Sequence, residues 1–254
     1  MDPGGAAHVF VADLEALVLE PGDAHHLGRV LRLRPGERLT ASDGMGSWRW
    51  CIWPGTALGG GSAPARSSEG RPEAPLAWGG AGGAGSGLAL VADGPIVHDP
   101  RPDPAVAVAF APVKGDRPEW AVQKLTELGV DRIIGLVAER SVVRWDGDRA
   151  AKQAVRWAAV AREAAMQSRR AWLPSVEPSL PFAAAAALPG AAMAERDGGP
   201  VGPEHRLVLL GPEGGWSDRE RAAELPRVGL SDAVLRTETA ALAAAVALTT
   251  LRSW

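Results

Sequence analysis

Cysteine is all but missing from this chain. Cys51 stands alone among 254 residues, so no intrachain disulfide can form and a cysteine-rich zinc site is excluded. An excess of basic residues is missing too. Lys and Arg number 27 against 30 Asp and Glu, for a formal net charge of −3. A polyanion would therefore have to be met by a local patch rather than by the field of the whole molecule. No apolar run reaches the ~20 residues that span a bilayer, the Ala-rich stretch near the C-terminus being too short, and no basic-then-apolar leader is visible. A soluble, cytoplasmic protein with no membrane partner is expected. No carboxylate–histidine spacing marks a metal site, and the adjacent His25 and His26 cannot both face one ion from a strand. The expected metal complement is none.

What is present supports a real core. With 46% hydrophobic and 22% charged residues, the chain suffices for one large domain or two modest ones. Glycine, proline and alanine crowd into Gly55–Gly87, which has scarcely any bulky apolar side chain to bury. Such a segment does not offset its own ordering entropy, and it reads as a flexible surface insertion. A G-x-G-x-x-G match at Gly80, Gly82 and Gly85 has no strand before it and no helix after it, and glycine density alone accounts for it.

Ahead of the insertion, the runs HVFVA, ERLTASD and WRWCIW alternate with turn residues, and GLALVADGPIV continues the style beyond it. This spacing predicts a small β-barrel or sandwich over about 1–100. From Ala105 the texture changes to strands alternating with long helices. VAVAFAPV, DRIIGLVA, RLVLL and DAVL read as strands. The intervening helices start at Asp116 as N-cap with Pro118 in the first turn and Gly129 as the stop, run from about Asp148 to Arg170, open at a Ser217–Glu220 capping box, and span about Ala240 to Ser253. Alternation with apolar strands predicts an α/β domain over 104–254 with a mainly parallel sheet. Trp120, Trp145 and Trp157 fall at helix or strand positions and are expected in the core.

Two segments reach the edge where α/β sheets hold ligands, beyond the carboxyl ends of their strands. One is LVLLGPEGGWSDRE, 207–220; the other is LRTETA, 235–240. Gly-rich strand-to-helix turns ordinarily cradle phosphate on exposed N–H groups. This one carries Glu213 and has no Lys or Arg between Leu207 and Asp218. In the second segment a strand runs into four polar residues before an apolar helix, and Thr237 or Thr239 also suits a simple N-cap.

These two segments, with HHLGRVLRLRPGE (25–37), KGDRPEWAVQKLTELGVDRIIGLVAERSVVRW (114–145) and AREAAMQSRRAWLPSVE (161–177), resemble the RsmE family of ribosomal RNA methyltransferases. That family methylates N3 of a uridine in 16S RNA and belongs to the SPOUT class. The resemblance implies a SPOUT-type, trefoil-knotted domain, a small N-terminal PUA-like β-barrel that binds RNA, a homodimer, and S-adenosyl-L-methionine as cofactor. Ribosomal RNA or the small ribosomal subunit is the implied partner. It also implies the cofactor site: Leu210, Gly211, Pro212, Glu213 and Gly214 on one wall, with Leu230, Leu235, Arg236, Thr237 and Ala240 on the other. Whether Glu213 meets ligand or only pins the turn is left open. A phosphate-free sulfonium donor accounts for a glycine turn without lysine.

Uridine N3 must lose a proton before it attacks, so a fixed cation beside the uracil oxygens would help. Arginine keeps its charge and donates in a planar fork. Arg170 matches the family's arginine after its glutamine–serine pair and is the first candidate; Arg140 is the second, and Glu238 is a candidate proton acceptor. Each also reads as a phosphate contact, a solvated charge or a helix cap. The family's usual acid before that glutamine is Met166 here. For RNA, Arg29, Arg32, Arg34 and Arg38 form a local basic patch opposed by Glu37 alone. The alternatives are a non-catalytic RNA-binding or ribosome-assembly protein, a SPOUT methyltransferase acting on another RNA, and a dinucleotide oxidoreductase.

Overall fold

The computed structural model describes residues 5–55, 87–145 and 147–252. Apart from Gly55 and Gly87, the expected insertion and its G-x-G-x-x-G match lie outside the described residues. Among the described residues, one compact unit takes in those within Asp2–Asp43 and Trp48–Val97, the other those within Gly44–Ser47 and His98–Trp254.

The smaller unit is built on β1 (His8–Phe10), β2 (Arg38–Ser42), β3 (Ser47–Ile52), β4 (Val91–Ala92) and β5 (Val97–His98). β1 runs parallel to β2, which pairs antiparallel with β3 from Arg38↔Ile52 to Ser42↔Trp48. β4 and β5 both pair with β3, and an isolated bridge joins Val18 to Ala89. Leu19, Leu27, Leu39, Cys51 and Trp53 fill its core. Between β1 and β2 the chain forms α1 (Pro21–His25), which passes directly into a π-helical turn over His26–Val30.

In the larger unit, β6 (Ala107–Phe110), α2 (Arg117–Glu127), β7 (Arg132–Val137) and α3 (Gly147–Gln167) alternate as expected, and a strand that the sequence did not display, β8 (Ser175–Pro181), comes next. Then follow α4 (Phe182–Ala186), β9 (Ala191–Gly199), β10 (Leu207–Leu210), α5 (Asp218–Arg221), β11 (Arg227–Val228) and α6 (Thr237–Thr250). The sheet order is β11-β9-β10-β6-β7-β8, with every described ladder parallel. The chain winds outward through β7 and β8, then returns to the far side of β6. There β10 fills the slot between β6 and β9. The order thus reverses at β6/β10, the kind of switch point at which α/β sheets open a ligand crevice.

Both faces of the sheet are covered. Val108, Phe110, Ile133 and Val208 pack under α2, α3 and α6 with Trp157, whose ring stacks on Phe110 at 5.1 Å. Ala109, Ile134, Met193 and Leu209 pack on the other face with Ala185 and Trp216. Burial on both sides is why β6, β7 and β10 read as unbroken apolar runs. Trp145 joins the first cluster, whereas Trp120 is 44% exposed on α2, contrary to expectation.

Other departures have local causes. DAVL is not a strand: Asp232–Leu235 is irregular, with Val234 the most exposed large apolar residue described, because the ladder beside β9 is taken by Arg227–Val228. β8 and β9 carry little apolar signal. β8 is an edge strand, where prolines at 178 and 181 are tolerated, and β9 is apolar only over Ala191–Ala194. Asp116 makes no side-chain cap bond and has helical φ and ψ of −91° and −3°. The α3 helix ends at Gln167, followed by Arg169 at φ +56°. The capping box forms as expected: Ser217 Oγ accepts the Glu220 N–H and the Glu220 carboxylate accepts the Ser217 N–H.

Candidate active site

The β10 strand ends at Leu210 and the chain turns at once. The Gly215 N–H donates to Pro212 O at 2.8 Å, closing a four-residue turn over Pro212–Gly215 with Gly215 at φ +67°. Gly211 is set by a neighbour: a Cβ there would lie 3.0 Å from the Trp216 ring. That ring cannot easily retreat, because its Nε1–H donates to Ala194 O at 2.9 Å and Phe182 packs against it at 5.4 Å.

The second segment arrives from β11. Gly229 N–H donates to Gly199 O at 2.7 Å, and a Cβ on Gly198 would lie 2.4 Å from the Val228 backbone, so β9 and β11 close as bare backbone. Residues 231–236 then arch to the start of α6. Arg236 is the N-cap residue, with no side-chain cap bond, and neither threonine takes that place. Thr237 is buried in the first turn, its hydroxyl 3.5 Å from Gly211 O.

A cleft of about 410 Å³ opens between the two segments, within the range that holds small ligands. It is lined by Leu210, Gly211, Pro212 and Glu213 on one side and by Leu230, Leu235, Arg236, Thr237 and Ala240 on the other. Gly214 does not line it. Gly214 turns toward Arg140, whose Nη1 donates to its carbonyl at 3.1 Å, and Gly215 lines the cleft instead. The structure adds residues that the local pattern did not mark: Trp216 and Val228 among the apolar walls, Ala194, Glu195 and Arg196 in the middle of β9, and Arg221. Arg221 Nε donates to Glu195 at 2.8 Å, and this pairing raises its pKa. The place of Trp216 directly after the glycine turn is the signal that could have found it; the Glu195–Arg221 pair, 26 residues apart, left none.

The three candidates for the chemistry part company. Arg140 follows β7 and lies at the same carboxyl edge as the cleft, on the Gly214 carbonyl. Glu238, in the first turn of α6, has its carboxylate 3.6 Å from Arg117 at the start of α2, a partner the sequence reading missed. Arg170 precedes β8 and lies at the opposite, amino edge of the sheet. Its Nη1 donates to Thr126 O at 2.9 Å and to Val130 O at 2.8 Å, and its Nη2 lies 3.6 Å from Asp131. Arg252, beyond α6, also donates to Asp131, whose other bond is from the Val106 N–H at 2.9 Å. Burial lowers the Arg170 guanidinium to about 10, with Asp131 opposing the shift and Arg252 adding to it. A guanidinium so engaged ties the end of α2 to the loop before β7; within this chain it does not line the cleft.

In the smaller unit all four predicted arginines are exposed. Arg38 is engaged, with Nε 2.6 Å from Asp93 and its guanidinium 4.4 Å over the Trp50 ring. Arg29, Arg32 and Arg34 have no ion pair among the described residues, which leaves three free charges on one short stretch.

The comparisons agree on one family. The RNA methyltransferase domain family matches residues 100–249, and the RNA methyltransferase PUA domain family matches residues 19–52. A curated relative from Mycobacterium bovis, named ribosomal RNA small subunit methyltransferase E, is 32% identical over 95% of this chain and 89% of its own. The Bacillus subtilis protein of the same name is 34% identical over 56% of this chain and 64% of its own. Among solved structures, one of a probable rRNA-methyltransferase from Porphyromonas gingivalis superposes with a TM-score of 0.72 at 26% identity, covering 97% and 98% of the two chains. Another, a ribosomal RNA small subunit methyltransferase E from Neisseria gonorrhoeae bound to S-adenosyl methionine, gives 0.69 at 27% identity over 96% and 97%. With a domain match over more than half its length and a full-length relative at this identity, the chain belongs to the ribosomal RNA small subunit methyltransferase E family.

Proposed function

We propose that this protein transfers a methyl group from S-adenosyl-L-methionine to small-subunit ribosomal RNA, and that the atom methylated is N3 of a uridine. One observation carries the reading: the GPEGG turn and the segment leading into α6 close on a single cleft at the carboxyl edge of a parallel sheet. The residues present fit such a cofactor. Apolar walls at Leu210, Leu230 and Leu235 suit a purine, and Arg221, one of the cations lining the cleft, is paired with Glu195. The carboxylates of Glu195 and Glu213 lie at its rim, as do Arg196 and Arg236, which suit the carboxylate of an amino-acid tail. When bound, the cofactor supplies an activated methyl group.

The chain's own part is to orient and to stabilise. Arg140, fixed at one end by Gly214 O, keeps further N–H donors for the oxygens of a uracil losing its N3 proton. Glu238 is the proposed proton acceptor, with Arg117 holding its carboxylate in place. Arg29, Arg32 and Arg34 are proposed to contact RNA phosphates. A trefoil knot, a homodimer and a cytoplasmic location belong to the same proposal. In support of the knot, the chain passes outside β9 to form β11, then returns to pack α6 against α2, β6 and β10. Among the described residues no helix is long and apolar enough to cross a membrane.

Titration calorimetry with S-adenosylhomocysteine, NAD and ATP tests the cofactor, and only the first is expected to bind. Binding of NAD without S-adenosylhomocysteine would end this reading. Mass mapping of methylated uridines in small-subunit RNA, from cells with and without the protein, tests the substrate atom.

A further inference from the structure

Glu220 does more than cap a helix. Its side chain is buried, with 5% of the residue exposed. One carboxylate oxygen accepts the Ser217 N–H at 2.8 Å, which completes the capping box with Ser217 Oγ and the Glu220 N–H at 3.2 Å. Capping requires nothing further. Yet the other oxygen accepts the Glu139 N–H at 2.7 Å, from a loop 81 residues away in sequence. Glu139 immediately precedes Arg140, whose guanidinium reaches Gly214 O in the turn that leads to Ser217. The exits of β7 and β10 are thus joined twice, once through a buried carboxylate and once through the Arg140 guanidinium.

We infer that Glu220 is a positioning residue for methyl transfer, holding the backbone at Glu139 so that Arg140 meets the substrate in a fixed place. This rests on the reading of Arg140 given above. Both oxygens of Glu220 receive N–H donors, so glutamine, of the same shape, must set its own NH₂ against one of them. Glu220→Gln therefore loosens one of the two ties with little change in volume. Ser217→Ala removes the hydroxyl acceptor of the capping box and leaves the Glu139 tie intact.

The test is a double-mutant cycle on methyl transfer to small-subunit RNA at saturating S-adenosylmethionine, with S-adenosylhomocysteine affinity measured alongside. Misplacing a positioned group by an ångström costs on the order of 100-fold, so E220Q is expected to lower kcat about 10- to 100-fold. Ser217→Ala is expected to stay within about three-fold of the parent, because a lost cap weakens the fold rather than the geometry of Arg140. Combined with Arg140→Ala, E220Q is expected to cost less than about two-fold more, since residues acting through one contact are not additive. Equal losses in both backgrounds, or a Ser217→Ala loss matching that of E220Q, would reduce Glu220 to a helix cap. Parental activity in Arg140→Ala would instead remove the reading of Arg140, and this inference with it. Should E220Q not fold, Glu220→Asp, which keeps both oxygens but draws them back, reads the same cycle.

Discussion

Asp131 takes two guanidinium groups and a backbone N–H in a place where almost no water reaches it. Removing one member of such a cluster leaves charge buried and uncompensated, which costs about 3–5 kcal/mol. Asp131→Asn is expected to lose stability on that scale in denaturant titrations. Arg170→Ala is expected to lower the melting temperature while the folded fraction binds S-adenosylhomocysteine with parental affinity. A selective loss of methyl transfer with unchanged melting would return Arg170 to the chemistry. Cys51 gives a second residue-scale test. Burial pushes its thiol up to about 11, against the smaller lowering effect of Arg49. The unfolded thiol ionises near 9.0, so between about 9 and 11 the unfolded state binds fewer protons, and stability falls as pH rises through that window. Below it the folded thiol is both neutral and fully buried, whereas the exposed thiol of the unfolded chain is already partly ionised. Iodoacetamide at pH 8 is expected to leave the native protein unlabelled and to label it once denatured, by intact mass.

At the scale of elements, the site is two chain crossings held by contacts that leave no room for a side chain. Gly211→Ala would force the Trp216 ring to move against Ala194 and Phe182, an overpacking cost of about 1–3 kcal/mol. Because the same ring lines the cleft, S-adenosylhomocysteine affinity is expected to fall at least about ten-fold, equivalent to about 1.4 kcal/mol. Calorimetry checks this, and unchanged affinity would remove Trp216 from the cofactor site. The elements differed in how openly the sequence displayed them. β6, β7 and β10 are apolar on both faces and were legible. β8 was not, because prolines at the sheet edge erase the strand signal. DAVL looked like a strand and is none, because pairing partners rather than propensity decide strands.

At the scale of the whole molecule, a net charge of −3 has to coexist with RNA binding. Each phosphate contact contributes about 0.7–0.9 to the slope of log affinity against log salt. Replacing Arg29, Arg32 and Arg34 together by Gln is expected to reduce that slope by about 2 in filter-binding titrations with small-subunit RNA. Arg38→Gln is expected to leave it nearly unchanged, since Asp93 and Trp50 already occupy its guanidinium. A slope insensitive to the triple change would place the RNA surface elsewhere.

The sequence by itself determined the strands β6, β7 and β10 with the helices that follow them, the capping box at Ser217, and the two segments that meet at the cleft. These are local properties: periodicity, turn chemistry and the absence of lysine from a glycine turn are all written within a dozen neighbouring residues. Only the tertiary structure decided which arginine lies at the same edge of the sheet as the cleft. Arg140 and Arg170 look alike in sequence, each a cation at the end of an element. A parallel sheet has two edges, and the chain leaves β7 at one and enters β8 at the other. Sequence spacing carries no record of which edge a loop occupies once the strand order is unknown, so the carbonyls and the carboxylate that engage Arg170 became visible only after the strands were placed.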